Sequence, residues 1–376
     1  MKLAGITWWR NNYGSILQAY ALQQTLINLS DIEYEIINQY GRRILSSDNL
    51  IDKLKRIGLR KTIWRAFWKI GIKGLRNRNR NIQRFIDEKL NISAEQYTNE
   101  TIHRANERYD GFVCGSDQIW NPMLTDNYSI YWLGFADNAK LKISYAPSIG
   151  VESLTSEQKK IIKKNLSSFQ AVSCRENKGT ELINKIFDDE QKCITVLDPT
   201  LLVERTLWDN LCSKRKYEGS YIFVYMLRGT KKQYQLIQKY AKNKRLKIVT
   251  MPFLDSEYIK WYDLFFGNKK LWDASPTEFI SVIRYAEYVI TDSFHCMVFS
   301  CLYHKPFFTF PKIGKAQLSR LTGLQELLHI PSRMINETDT VETLESMEEI
   351  NWSIVEKILE EKKMISQDYL KKAVLR

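Results

Sequence analysis

The sequence predicts an α/β protein built as two Rossmann-like domains facing a cleft. Three observations lead there. The chain has 376 residues, more than one ordinary hydrophobic core accommodates. Short apolar runs alternate with stretches of helical periodicity, and this alternation begins again near residue 221. The polar clusters fall just beyond the apolar runs, at the carboxyl ends of the predicted strands, where open α/β sheets collect their ligands.

The elements follow in order. Residues 2–7 read as a buried strand, and residues 13–29 as a helix carrying Ile16, Ala19, Leu22, Leu26 and Leu29 on related faces. Residues 34–38 form a short strand, and a basic helical segment covers 51–90. Strands at 111–114, 143–146, 171–174 and 195–197 alternate with helices at 156–167 and 176–186. The second block has strands at 221–227, 246–251, 288–291 and 306–310, and helices at 231–242, 276–285 and 318–328. A further helix carries Met297, Val298, Cys301 and Leu302. Thr277 is the expected cap of the helix beginning at Pro276. A long charged helix, 352–375, ends the chain. The domain limits read from this pattern are 1–200 (the expected acceptor side), 201–340 (the expected donor side) and a helical tail, 341–376.

Composition narrows the function classes. Hydrophobic residues at 44% and charged residues at 26% are an ordinary globular balance, which argues against a disordered chain. No apolar run approaches the roughly 20 residues of a membrane-spanning helix. The apolar stretch at the start is too short for a signal peptide, so a cytoplasmic protein is expected. The six cysteines are scattered without zinc spacing and read as free buried thiols, and no metal is expected. The net charge of +13 is concentrated: residues 53–84 hold twelve Lys or Arg and no Asp or Glu. Ile63, Trp64, Phe67 and Trp68 interleave with that charge, which fits peripheral contact with an anionic membrane surface. A solvated basic helix with its aromatic face packed on the domain fits equally, and no nucleic-acid motif accompanies the segment.

The strand-end clusters carry the candidate chemistry. Thr291-Asp292-Ser293-Phe294-His295 follows a buried strand, so Ser293 and the nearby N–H groups suit an anion and His295 suits acid–base work near pH 7. Helix capping by Asp292 or Ser293, with His295 simply packed, is the competing reading. Arg175 ends its own strand, where its planar fork suits phosphate or carboxylate, or else a salt bridge to Glu176. Lys315 and Arg320 offer further positive charge after the strand at 306–310. Ser116, Asp117, Gln118 and Trp120 form a set able to bind sugar hydroxyls and stack on a sugar face. Asn12 and Tyr13 stand in a similar polar loop. Glycine-rich dinucleotide and P-loop motifs, the zinc-protease helix and the serine elbow are all absent from the sequence.

In order along the chain, Asn11-Asn12-Tyr13-Gly14-Ser15, Gly115-Ser116-Asp117-Gln118, Ser173-Cys174-Arg175-Glu176, Asp198-Pro199-Thr200 and Asp292-Ser293-Phe294-His295 resemble the polysaccharide pyruvyl transferase family. The resemblance covers residues 1 to about 335. It implies a fold similar to the B-type glycosyltransferases and phosphoenolpyruvate as co-substrate, with no cofactor. It implies transfer of the pyruvyl group onto two hydroxyls of a sugar in a polysaccharide or lipid-linked precursor, closing a cyclic ketal. The family's essential histidine matches His295, its phosphoenolpyruvate-binding arginine matches Arg175, and a later basic residue matches Lys315. Cys296 stands where the family usually has a glycine, a residue that permits close backbone approach or positive φ. The alternatives are a glycosyltransferase using a nucleotide sugar and a non-catalytic polysaccharide-assembly protein.

Overall fold

The computed structural model describes residues 1–10, 12–29, 31–39, 73–124, 130–188, 192–253, 261–311 and 318–375. Lys315, Asn11 and the part of the basic segment before residue 73 lie outside them.

The first half begins with β1 (Lys2–Ile6), α1 (Tyr13–Ile27) and β2 (Glu33–Gln39), followed by α2 (Lys73–Lys89), β3 (Ile92–Tyr97), β4 (Gly111–Cys114) and β5 (Leu141–Ser144). The five strands form one parallel sheet in the order β3-β2-β1-β4-β5. β4 is buried along its whole length, as a strand covered on both faces must be. Next come α3 (Ser156–Leu166), β6 (Val172–Cys174), α4 (Asn177–Ile186) and β7 (Cys193–Thr195). β6 and β7 pair with each other, and a bridge from Ile143 to Ala171 sets them beside β5. A short 3-10 turn, Pro199–Leu201, and α5 (Arg205–Leu211) lead out of this half.

The second half repeats the plan with β8 (Tyr221–Tyr225), α6 (Lys231–Asn243), β9 (Lys247–Thr250), α7 (Trp261–Phe265), β10 (Lys269–Lys270), α8 (Pro276–Arg284), β11 (Tyr288–Thr291), α9 (Phe294–Leu302) and β12 (Phe307–Thr309). Its sheet runs β10-β9-β8-β11-β12, the same order as the first sheet when each half is counted from its own start. α10 (Leu318–Leu327), α11 (Val341–Glu345) and α12 (Trp352–Val374) complete the chain. The cap of α8 is Ser275 rather than the expected Thr277. Ser275 Oγ accepts the Glu278 N–H while the Glu278 carboxylate accepts the Ser275 N–H, closing a reciprocal box over Pro276.

The two halves share one apolar cluster. α1 is buried on nearly every side because it packs on its own sheet and also on α8 and α9 of the second half. Tyr13 stacks on Phe279 with ring centres 5.2 Å apart. Trp208, on α5, lies edge-on between Tyr20 (6.1 Å) and Phe299 (5.1 Å) and donates its Nε1–H to Thr200 O. The last helix does not hang free as a tail. α12 returns to the first half, where Tyr369 OH donates to Ser144 O at 2.8 Å and Ser366 Oγ accepts the Leu197 N–H at 3.0 Å.

On α2, Ile82, Phe85 and Ile86 face inward, and Arg78 donates its Nε–H to Tyr13 OH at 2.9 Å. Arg76, Arg80 and Arg84 are exposed. Among the described residues, no helix is long and apolar enough to cross a membrane.

Trp208 is fully buried between the halves. Trp208→Ala should therefore cost about 3–5 kcal/mol of stability in denaturant titrations.

Candidate active site

The end of β6 delivers Arg175, and the turn after β7 delivers Asp198. Both are buried: the Arg175 side chain is 2% exposed and that of Asp198 is 0% exposed. Arg175 Nη1 donates to Asp198 Oδ2 at 2.9 Å. Ser116 Oγ, at the end of β4, donates to the same oxygen at 3.0 Å. Oδ1 accepts the Thr200 N–H (3.0 Å) and the Thr200 hydroxyl (2.6 Å). From the second half, His295 in the first turn of α9 brings Nε2 to 3.4 Å from Asp198 Oδ2. Burial alone would raise the Asp198 pKa. The adjacent His295 and Arg175 and the Thr200 hydroxyl outweigh it and hold the carboxyl well below its usual range.

Neither Asp292 nor Ser293 caps α9 through its side chain. Ser293 stands at the N-cap without such a bond. Asp292 instead accepts the N–H groups of Leu227 and Arg228, tying the end of β11 to the loop after β8. His295 is set by a close approach from the other half: a Cβ on Gly14 would lie 2.3 Å from His295 Nδ1. Glycine at 14 is what lets α1 and α9 meet around the imidazole. Cys296 takes ordinary helical backbone and is wholly buried, so position 296 requires no glycine conformation. Burial pushes its thiol pKa up.

Beside this cluster lies a small cavity of about 20 Å³. Arg175, Glu176, Asp198 and Arg320 supply its charged groups, and Leu197, Phe294, Leu324 and Leu327 its apolar wall. The Arg175 guanidinium lies 4.1 Å from the centre of the Phe294 ring. Arg175 Nε and Nη2 and Arg320 Nε are buried and have no hydrogen-bond partner. Burial favours the neutral form of Arg175, but Asp198 and Glu176 more than reverse this and raise its pKa. For Arg320 the nearby Glu176, Asp117 and Asp292 compensate only in part. Burial first, then repulsion from Arg175, brings its pKa down to about 10. Buried N–H donors without partners are costly, and two cations in one cavity repel. An anion bound there relieves both penalties.

The other expected site residues are placed differently. Trp120 is fully buried, stacked on Trp132 at 4.8 Å with its Nε1–H given to Tyr131 O, so no face remains for a sugar. Tyr13 is also core, its hydroxyl donating to Ala274 O. Ser116 joins the Asp198 cluster. Asp117 is buried with φ +79° and accepts the Ser15 hydroxyl at 2.5 Å, while Gln118 bonds Asn121. Asn12 caps α1 by accepting the Gly14 N–H. These groups brace the loops at the strand ends rather than line the cavity. Among the described residues, no three His, Cys, Asp or Glu side chains are grouped to hold a metal.

A sequence model of the polysaccharide pyruvyl transferases matches residues 12–311. The chain belongs to this family. The pyruvyl transferase family is one of transferases acting in polysaccharide biosynthesis, and the matched span contains Arg175, Asp198 and His295. No curated protein matches in sequence. In three dimensions the chain is similar to the UDP-GlcNAc 2-epimerase of Neisseria meningitidis solved with UDP-GlcNAc (TM-score 0.51, 9% identity, 100% of each chain). It is also similar to the UDP-GlcNAc 2-epimerase of Methanocaldococcus jannaschii (TM-score 0.50, 13% identity, 96% of this chain and 92% of that one). A third is a Listeria monocytogenes protein assigned to the UDP-N-acetylglucosamine 2-epimerases (TM-score 0.54, 11% identity, 99% and 91%). These likenesses give the fold, the two-domain arrangement of B-type glycosyltransferases.

Asp198 was not legible as a site residue from its motif alone. The available signal is an aspartate a few residues past the end of β7, in Asp198-Pro199-Thr200, on the same side of the strand pair as Arg175 after β6.

The low folded-state pKa of Asp198 means that its contribution to stability is complete above the unfolded pKa of about 3.9 and declines as pH falls below it. Asp198→Asn breaks a buried ion pair and should cost about 3–5 kcal/mol at pH 7. In urea titrations between pH 7 and pH 2.5 the gap from wild type should hold down to about pH 4 and then narrow.

Proposed function

We propose that this protein transfers the pyruvyl group of phosphoenolpyruvate onto two hydroxyls of a sugar in a polysaccharide or lipid-linked precursor, forming a cyclic ketal. The observation that carries the reading is the pair of buried arginines, Arg175 and Arg320, with unpartnered N–H groups facing a small cavity beside the Asp198–His295 pair. Phosphoenolpyruvate brings a phosphate and a carboxylate to suit the arginines and a vinylic carbon to suit the apolar wall. Family membership supports the same donor.

In this mechanism Arg175 and Arg320 hold the two anionic groups. His295, facing Asp198, acts as imidazolium, protonates the methylene carbon and leaves C2 electrophilic. One sugar hydroxyl adds at C2 and releases its proton. The C–O bond to phosphate breaks, and the second hydroxyl closes the ketal. One released proton restores His295 and the other leaves with phosphate. The reaction needs both halves of the chain together, because Arg175 and Asp198 belong to the first and His295 and Arg320 to the second. Cytoplasmic placement and the absence of any cofactor belong to the same proposal.

A peripheral membrane contact fits a lipid-linked acceptor. Arg76, Arg80 and Arg84 expose a basic face on α2 that continues the charge of residues 53–73 in the sequence. Vesicles containing phosphatidylserine should float the protein, while neutral vesicles should not. Equal flotation removes the membrane contact.

The donor is tested by calorimetric titration with phosphoenolpyruvate beside a panel of nucleotide sugars. Wild type should bind phosphoenolpyruvate alone, and Arg175→Ala should lose that binding. Binding of a nucleotide sugar instead places the protein with the glycosyltransferases by activity. Once an acceptor is in hand, His295→Ala should retain donor affinity and lose about 10²–10⁴-fold in turnover. Normal turnover in that variant ends the acid role.

A further inference from the structure

We propose that the donor's phosphate is held at the start of α4, by the main-chain N–H groups of residues 177–179 together with Arg320, rather than at the start of α9. The inference rests on the donor reading above for its ligand, a phosphomonoester with a small apolar body, but its geometry stands independently.

The cavity is lined by Asn177, the first residue of α4, whereas α9 presents only the Phe294 ring to it. α4 is a ten-residue helix without a side-chain cap. Glu176 occupies the N-cap without capping the helix: its Oε1 accepts the Ser148 hydroxyl (2.7 Å) and the Gly150 N–H (3.1 Å), and its Oε2 lies 3.9 Å from Arg175 Nε. The first main-chain bond of the helix runs from the Thr180 N–H to Glu176 O, so the three N–H groups before it are left as donors. The unpartnered, buried N–H groups of Arg175 and Arg320 line the same space.

Charge leads to the same place. The arginines Arg175 and Arg320 and the carboxylates Asp198 and Glu176 cancel. A dianion therefore needs positive potential beyond these side chains, and a helix start supplies about half a unit charge plus directed N–H groups. Leu197, Leu324, Leu327 and the Phe294 ring leave one wall apolar, which suits the vinylic carbon of an enol phosphate and does little for free inorganic phosphate.

The test is calorimetric, with phosphoenolpyruvate, inorganic phosphate and pyruvate titrated into wild type, Asn177→Asp and Arg320→Met. Asn177 is exposed, and a carboxylate at the first helical position favours the helix, so the aspartate variant should keep its fold and thermal midpoint. Both variants should lose about tenfold in affinity for phosphoenolpyruvate and for phosphate, and no more than about twofold for pyruvate. If wild type binds phosphoenolpyruvate and both variants match it within twofold, the phosphate lies elsewhere and the subsite is overturned while the donor reading stands. If wild type binds inorganic phosphate but not phosphoenolpyruvate, and the variants lose the phosphate, the subsite stands and the donor reading falls. Binding of neither ligand to wild type overturns both.

Discussion

The site is organised around one buried carboxylate. Asp198 gathers the end of β4 through Ser116, the end of β6 through Arg175, its own turn through Thr200, and the second half through His295. An ion pair so far from water gives little net stability, since desolvating its members offsets most of their attraction. What it fixes is geometry. With Asp198 in place, Arg175 hydrogen-bonds through Nη1, its Nε lies 3.9 Å from Glu176 Oε2, and Nη2 is left without a hydrogen-bond partner. Asp198 Oδ2 also faces the imidazole across the boundary between the two halves.

That boundary is apolar and closely packed, which is how a polar contact of 3.4 Å can be held across it. Tyr13 on Phe279, and Trp208 between Tyr20 and Phe299, fix α1 and α5 against α8 and α9. Gly14 then allows α1 to approach the His295 ring to within the space of a missing side chain. Asp117 and Ala146, both at positive φ just beyond β4 and β5, show the loop backbone held in strained conformations on the same side of the sheet. Shape at this end of the fold is set by backbone constraint as much as by side-chain chemistry.

Largely buried strands were plain in the sequence because nothing interrupts them: β4 and β11 fall on their apolar runs residue for residue. β3 was not seen. Its sequence, Ile92 to Tyr97, includes Glu95 and Gln96, and among the described residues it pairs only with β2, so its surroundings and not its composition make it a strand. Arg175 and His295 lie just beyond β6 and β11, at the strand ends where the motifs put them. The aromatic and polar set from Ser116 to Trp120 misled because a tryptophan that packs and one that binds a sugar look alike in sequence. Only Trp132, contributed from a separate segment, decides between them. Asp198 was hidden for a related reason: its role arises where three stretches far apart in the chain converge on one oxygen.

The return of α12 to β5 gives the molecule an unusual order of assembly. α12 follows the second half in sequence and packs on the first, so the second half is in effect an insertion within the first. Leu197 and Ser144 receive their hydrogen-bond partners from Ser366 and Tyr369. During synthesis, the half that is translated first therefore stays unfinished until α12 has left the ribosome. The second sheet is free to fold in the meantime, and the docking of α12 then closes the protein from behind, tethering each half to the other at two crossings instead of one.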